Sequence, residues 1–160
     1  MNSFPVTPVG IVRSPRLEPV DDFWGDLISE IHLDNDLFTP EALFSLGEFS
    51  HAEILFLMHR VAPGEIEKGA RHPRGREDWP RVGIFGQRGK ARPNRIGLSR
   101  CSIIKVEDMV LTVRALDAID GTPVLDIKPY MREFDPIGSI RQPAWSHELM
   151  RDYYKSTQAK

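Results

Sequence analysis

LSRCSIIKVEDMVLTVRALDAIDGTPVLDIKPY, residues 98–130, is the stretch that decides the fold. Within it Val110 to Ala115 alternates: Leu111, Val113 and Ala115 share one face, and Val110, Thr112 and Arg114 share the other. That is the two-residue period of a strand with one buried side. Leu98 to Val106 reads as the strand before it, joined through a tight hairpin at Glu107-Asp108. Asp120-Gly121 is a strong turn signal, and Thr122-Pro123 leads from it into a further strand, Pro123 to Tyr130, with Asp126 and Lys128 on one face. Strands at this short spacing, punctuated by polar turns, predict an all-β barrel or sandwich.

Working outward, more strands are expected at Val6 to Arg13, Leu27 to Leu33, Ala52 to His59 and Arg81 to Phe85. The run AEILFLMH, residues 52–59, is almost continuously apolar and predicts a central strand buried on both faces. Helical signal is sparse. Thr39-Pro40-Glu41 offers an N-cap and a first-turn proline ahead of a stop at Gly47. A second helix is expected from Ser146 to Tyr154, capped by Ser146, with Leu149, Met150, Tyr153 and Tyr154 as an apolar face for the barrel or for a second copy of the chain. A chain of 160 residues suits one domain. The expected fold is therefore mainly β, a single-domain closed or partly open β-barrel with one or two short helices.

Composition excludes several functions. No apolar run approaches the roughly 20 residues of a membrane helix, and the start, MNSFPVTPVG, has neither the basic nor the apolar region of a signal peptide. A cytoplasmic protein without a membrane partner is expected. Cys101 is the one cysteine, which excludes an internal disulfide and a thiolate-rich zinc site and reads as an inert core thiol. The histidines at 32, 51, 59, 72 and 147 form no ligand pattern; His147-Glu148 opens like a metalloprotease helix, but position 151 is arginine. No metal is expected.

The net charge of −2 hides a segregation. Residues 71–100 hold nine cations against Glu77 and Asp78, a local balance of +7, whereas residues 1–70 stand at −8. Eight of those nine cations are arginine, whose planar fork suits phosphate and carboxylate. Two readings stand: a solvated basic loop, or a nucleic-acid surface to which Arg71, Arg74, Arg76, Lys90 and Arg95 contribute.

The glycines at 83, 86 and 89 do not make a phosphate loop, because position 84 is Ile and position 91 is Ala where the Walker pattern needs Gly and Ser or Thr. ARPNRIGLS, residues 91–99, is either a tight turn or a rigid loop presenting Arg92 and Asn94, with Gly97 permitting a sharp bend or close ligand approach. Asp117, Asp120 and Asp126 form either an ion-pair network or a site for an amine-bearing ligand.

RVGIFGQRGKARPNRIGLS followed by LDAIDGTPVLDIKPY resembles the TsaA/TrmO-like family, tRNA (adenine-N(6))-methyltransferases. PVGIVRSP and EFSHAEILFLMHR resemble the family's opening and central strands. The resemblance covers residues 5–136 as one barrel domain and leaves 137–160 as a C-terminal extension with a short helix. It implies a homodimeric, S-adenosylmethionine-dependent enzyme that methylates the exocyclic nitrogen of threonylcarbamoyladenosine beside the tRNA anticodon. Its cofactor contacts fall here on His59, Arg60, Arg88, Leu98 and Asp120-Gly121-Thr122-Pro123. Arg88 or Arg92 is expected to pair with the methionine carboxylate, Asp120 to meet its amine and Leu98 to touch the adenine. Asp120 and Tyr130 are the candidates for a proton acceptor.

The chain also departs from the family pattern. RGKARPNRIG, residues 88–97, lacks a proline and an aromatic of the usual loop and gains cations. VDDFWG, residues 20–25, replaces a segment expected to touch the cofactor, and Trp24 there is read as a stacking platform or as a lid over the core. Two alternatives to tRNA methylation remain: a cofactor-dependent methyltransferase of another nucleic acid or a small molecule, and a non-catalytic RNA-binding barrel.

Overall fold

The computed structural model describes residues 2–156, so the last four positions of the expected extension lie outside the described residues. Eight strands are present: β1 Gly10–Arg13, β2 Ile28–Leu33, β3 His51–Leu57, β4 Ala70–Arg71, β5 Val82–Gly83, β6 Ile96–Glu107, β7 Val110–Arg114 and β8 Pro123–Pro129. Six of them close a barrel in the order β1-β2-β7-β6-β3-β8, every pair antiparallel. The expected architecture is present in its closed form, which leaves the sheet no free edge.

Alternation fills the interior. Ile31 and Leu33 of β2, Ala52, Ile54 and Phe56 of β3, Cys101 of β6, Leu111 and Val113 of β7 and Val124 of β8 all point inward and are buried. The Cys101 thiol sits in this core, and desolvation pushes its pKa well up, as an inert thiol requires. Gly97 faces Phe56 across the β3–β6 pair, and a Cβ there would lie 2.3 Å from the Phe56 ring. The glycine therefore makes room for a core aromatic; it neither bends the chain sharply nor admits a ligand.

Several local expectations are corrected. The first strand starts at Gly10, not at Val6. β3 is not buried on both faces: Ala52, Ile54 and Phe56 face in, while Glu53 and Leu55 stay partly exposed on the outer wall of a barrel. Residues 81–85 give only the two-residue β5, which pairs with β4 outside the barrel, and then a 3-10 turn at Ile84–Gly86. The β6–β7 turn is Asp108-Met109, one residue later than expected, with Asp108 in the left-handed region (φ 49°). The Thr39-Pro40 signal produces a 3-10 helix, Pro40–Leu43, and a second such turn follows at Leu46–Glu48.

The C-terminal helix α1 is Ala144–Leu149, and Pro143, not Ser146, precedes it; Ser146 is inside, its hydroxyl bonded to the Pro143 carbonyl at 2.7 Å. The extension is stitched onto the barrel domain. The amides of Phe23 and Trp24 donate to the carbonyls of Asp152 and Tyr153 at 3.1 and 2.8 Å, and the Trp79 indole N–H donates to Glu148 at 2.9 Å.

Candidate active site

Register defines the end of the barrel that matters. β1 finishes at Arg13, β3 at Leu57 and β7 at Arg114, while β2 starts at Ile28, β6 at Ile96 and β8 at Pro123, all at the same end. His59 and Arg60 follow β3 there, and Asp120, Gly121 and Thr122 lead into β8. The inward-facing layer changes character at this end: Ser29, Ser99 and Thr122 are buried where the layers beneath are aliphatic. Such polar groups are tolerated only if paired. Ser29 Oγ donates to Ser14 Oγ at 3.2 Å, and the Ser99 hydroxyl donates to the Asp117 carboxyl.

The Asp120 turn is held on both sides. The amide of Asp120 donates to the Arg16 carbonyl at 2.8 Å and that of Gly121 to the Val12 carbonyl at 2.9 Å. Asp120 Oδ1 accepts from the Ser14 amide at 3.0 Å, and Oδ2 lies 4.0 Å from Arg13. Gly121 has φ +74°, and the space where a side chain would stand is open, so the backbone here is reachable from outside.

Arg88 donates to the Leu98 carbonyl at 2.7 Å, an ionic donor fixed by a neutral acceptor. Its charge also reaches the buried Asp117 carboxyl, whose pKa it lowers against the larger upward effect of burial, although no carboxylate among the described residues forms an ion pair with it. Leu98 itself is substantially exposed beside it, and the His59 imidazole has no hydrogen-bond partner among the described residues. Arg60 donates to the Leu17 carbonyl and to Glu18, both at 3.0 Å, which ties the end of β3 to the N-terminal loop. Arg92 donates to the Gln87 carbonyl at 3.0 Å.

Trp24 does not offer a face to a base. It is 4% exposed, and Arg16 lies 4.1 Å over its ring while donating to the carbonyls of Asp22 and Phe23. Burial leaves no exposed ring face for the stacking reading. Its indole N–H nevertheless has no partner and is buried, an orphan donor at the same end of the barrel.

Sequence reasoning missed the roles of Arg16 and of the Asp117–Tyr153 pair. The Tyr153 hydroxyl, carried in by the C-terminal extension, donates to Asp117. Desolvation raises the Asp117 pKa, and this outweighs the hydrogen bond from Tyr153 that favours the ionised form. Burial and the adjacent Asp117 likewise push Tyr153 up. The only signal was that Asp117 flanked the turn and Tyr153 lay on an apolar helix face.

Two sets of expected site residues are not where function would need them. Asp120 and Tyr130 stand before and after β8, so about 20 Å of strand separates them. Tyr130 bonds the His51 carbonyl through its amide, donates its hydroxyl to Asp135 and lies under Arg100 at 4.0 Å. Within one copy of the chain the pair cannot share a reacting atom. Arg74 and Arg76 are spent on carboxylates: Arg74 forks onto Asp22 at 2.7 and 2.8 Å, and Arg76 pairs with Asp78 while stacking 4.0 Å over Trp79. They clamp the β4–β5 hairpin rather than lie open to phosphate. Arg71 has a buried, unpaired Nε, and Arg95 donates to the Val61 carbonyl at 2.9 Å. Lys90 is exposed and has no carboxylate partner among the described residues. Asp126 and Lys128 do form the supporting ion pair that their shared face suggested, at 2.5 Å.

Residues 18–136 match the tRNA-methyltransferase O N-terminal domain, a span that begins after β1 although β1 closes the barrel. A probable S-adenosyl-L-methionine-binding protein of Pyrococcus abyssi is 34% identical over 84% of this chain and 72% of its own length. The tRNA (adenine(37)-N6)-methyltransferase of Escherichia coli is 34% identical over 82% of this chain and 59% of its own. The crystal structure of TrmO from Pseudomonas aeruginosa superposes with a TM-score of 0.73 at 28% identity, over 91% of this chain and 62% of that one. The chain thus spans about three fifths of the length of the two bacterial proteins. With that domain matched over residues 18–136 and the same barrel in a solved relative, the chain belongs to the family of the tRNA-methyltransferase O N-terminal domain.

Proposed function

We propose that the chain is an S-adenosylmethionine-dependent methyltransferase acting on the exocyclic nitrogen of the threonylcarbamoyl-modified adenine beside the tRNA anticodon. The observation that carries this reading is the gathering, at one barrel end, of Arg88 without an ion pair, the open Gly121 turn and the unpaired Trp24 indole N–H, each judged among the described residues. That donor set fits the cofactor. A methionine moiety presents a carboxylate and an ammonium group, for which Arg88 and Asp120 are chemically matched. Leu98 offers an apolar surface for adenine, and the orphan indole N–H gains an acceptor.

The cofactor supplies an electrophilic methyl group on a sulfonium. The contribution of the chain is orientation: a closed barrel and a turn bonded on both flanks hold the contacting groups in fixed positions. Asp120, a third exposed and with Oδ2 facing only a distant Arg13, is the group placed to accept a proton or hydrogen bond from the target nitrogen. We further propose that the active form is a homodimer in the cytoplasm; no described helix is long and apolar enough to cross a membrane. Phe134 and Ile140, strongly exposed on the segment between β8 and α1, support the second copy.

The test is incubation of bulk tRNA with cofactor labelled on its methyl group, followed by nucleoside mass analysis. One added methyl on the modified adenosine is the expected product, and tRNA that stays unlabelled would sink the proposal. Binding measured against salt is the companion. Several phosphate contacts give an affinity falling with a slope of about 0.7 to 0.9 per contact on logarithmic axes, whereas a flat line speaks for a small-molecule substrate.

A further inference from the structure

We infer that Phe85 is a stacking platform for an unpaired base of the RNA substrate, a specificity contact beyond the cofactor site; this rests on the tRNA reading above. Phe85 is 80% exposed, although it belongs to one of the most firmly held turns outside the barrel. On one side Ile84 is buried and its amide donates to the Gly69 carbonyl at 2.9 Å. On the other, Gln87 is buried and its Nε2 donates to the carbonyls of Arg71 and Val82 at 3.1 and 2.6 Å. Between them Gly86 has no room for a Cβ, which would fall 2.8 Å from Val82. The phenyl ring is thus carried on a rigid support and covered by nothing. Singly exposed apolar residues are common, so the rigid mounting of this ring and the charge around it decide what it can contact.

Charge selects the kind of contact. Three other phenylalanines are as exposed: Phe4, Phe44 and Phe134. Phe44 stands among Glu41, Glu48 and Asp108, Phe134 is flanked by Glu133 and Asp135, and Phe4 has no cation within three residues. Phe85 alone lies in the basic segment. Its neighbour Arg81 donates to the Ala70 carbonyl and Lys90 is exposed, and neither forms an ion pair among the described residues; Arg88, the cation matched above to the cofactor, stands between them. An exposed aromatic ring set among unneutralised cations is the composition of a single-strand nucleic-acid surface, where bases stack and phosphates pair. Splayed-out bases of RNA loops are recognised in this way. Arg88, three residues on, bonds Leu98 at the cofactor end, so a base on Phe85 lies at the rim of the site that would methylate its neighbour.

The experiment compares wild type with Phe85→Ala and Phe85→Trp in the full chain. It measures tRNA affinity at fixed salt, cofactor affinity by calorimetry, sedimentation and tryptophan emission. Phe85→Ala is expected to weaken tRNA binding about 5- to 150-fold, the range of one base–aromatic stack. Cofactor affinity, melting temperature and the salt slope are expected to stay at wild-type values. Phe85→Trp is expected to restore binding, and its added emission to be quenched by tRNA. An alanine variant that binds tRNA within twofold of wild type overturns the inference while leaving the methyltransferase reading intact. So does a change in oligomeric state instead of tRNA affinity. A wild-type chain that fails to bind tRNA overturns both.

Discussion

The two ends of the barrel are closed by the same six strands and are built on opposite principles. At the Asp120 end the inward layer is small and polar, and the N-terminal loop, the β4–β5 hairpin and the C-terminal extension are fastened to one another by Arg16, Arg60, Arg74 and Tyr153. At the Tyr130 end the covering is two 3-10 turns, and two shallow grooves of about 350 and 310 Å³ lie there, lined by Leu43, Phe44 and Leu46 among others. Their polar lining is Ser45, Glu48 and Asp108 in one and Ser45 and Asp126 in the other, with no cation in either. The polar end has the unspent donors and open backbone. A site that must grip a zwitterion needs a cation for its carboxylate, which the lining of those two grooves does not supply.

The largest effect expected from breaking this contrast is at Arg88. Replacing it by alanine removes the cation matched to the cofactor carboxylate, and a charge-assisted hydrogen bond is worth about 1.5 to 3 kcal/mol. Arg88→Ala should therefore weaken cofactor binding about 10- to 150-fold in calorimetry while the melting temperature changes little. Unchanged affinity would place the cofactor elsewhere.

Next in size is the buried pair beneath that site, and it carries a sign. Asp117 has its folded pKa raised above the ordinary 3.8 by burial. The protonated form is thus favoured by folding, and the stability linked to this group is complete below the ordinary value and is lost as pH rises through the raised one. The Tyr153 hydroxyl opposes this by stabilising the ionised carboxylate. Tyr153→Phe should cost about 1 to 3 kcal/mol, with the larger cost at pH 8 and the smaller at pH 5, read by urea denaturation at both. A cost that is larger at pH 5 would mean that the Tyr153 hydroxyl accepts a hydrogen bond from a neutral Asp117 rather than donating one to its carboxylate.

What could be read in the sequence follows the same division. The barrel was legible because Leu111 and Val113 alternate with polar partners and because Asp120-Gly121 is a turn in any context. The candidate cofactor residues came from the family resemblance: His59 and Arg60 follow β3 and Asp120 precedes β8, while Arg88 lies within the connection between β5 and β6. What failed was anything that depends on pairing between distant residues. Arg74 looked like a phosphate ligand because its acceptor, Asp22, lies 52 positions away. Trp24 could be read as a stacking platform because the Tyr153 carbonyl that holds its amide comes from the far end of the chain, although Arg16, which covers its ring, shares its connection between β1 and β2. Net charge over a segment counts cations without saying which are already matched.

Tyr130 is the smallest and sharpest case. Its nomination came from the block that also holds Asp120, yet a strand of seven residues translates the chain from one end of the barrel to the other. There its hydroxyl is engaged by Asp135, and that bond raises its pKa, which makes it a weaker base precursor at neutral pH. Tyr130→Phe keeps the ring under Arg100 and removes only the hydroxyl. It should leave kcat/KM within about twofold of wild type and the salt dependence of tRNA binding unaltered. A loss of a hundredfold or more in kcat alone would show that the Tyr130 end of one copy completes the Asp120 end of another. That outcome would turn the contrast between the two ends into a reason for dimerisation.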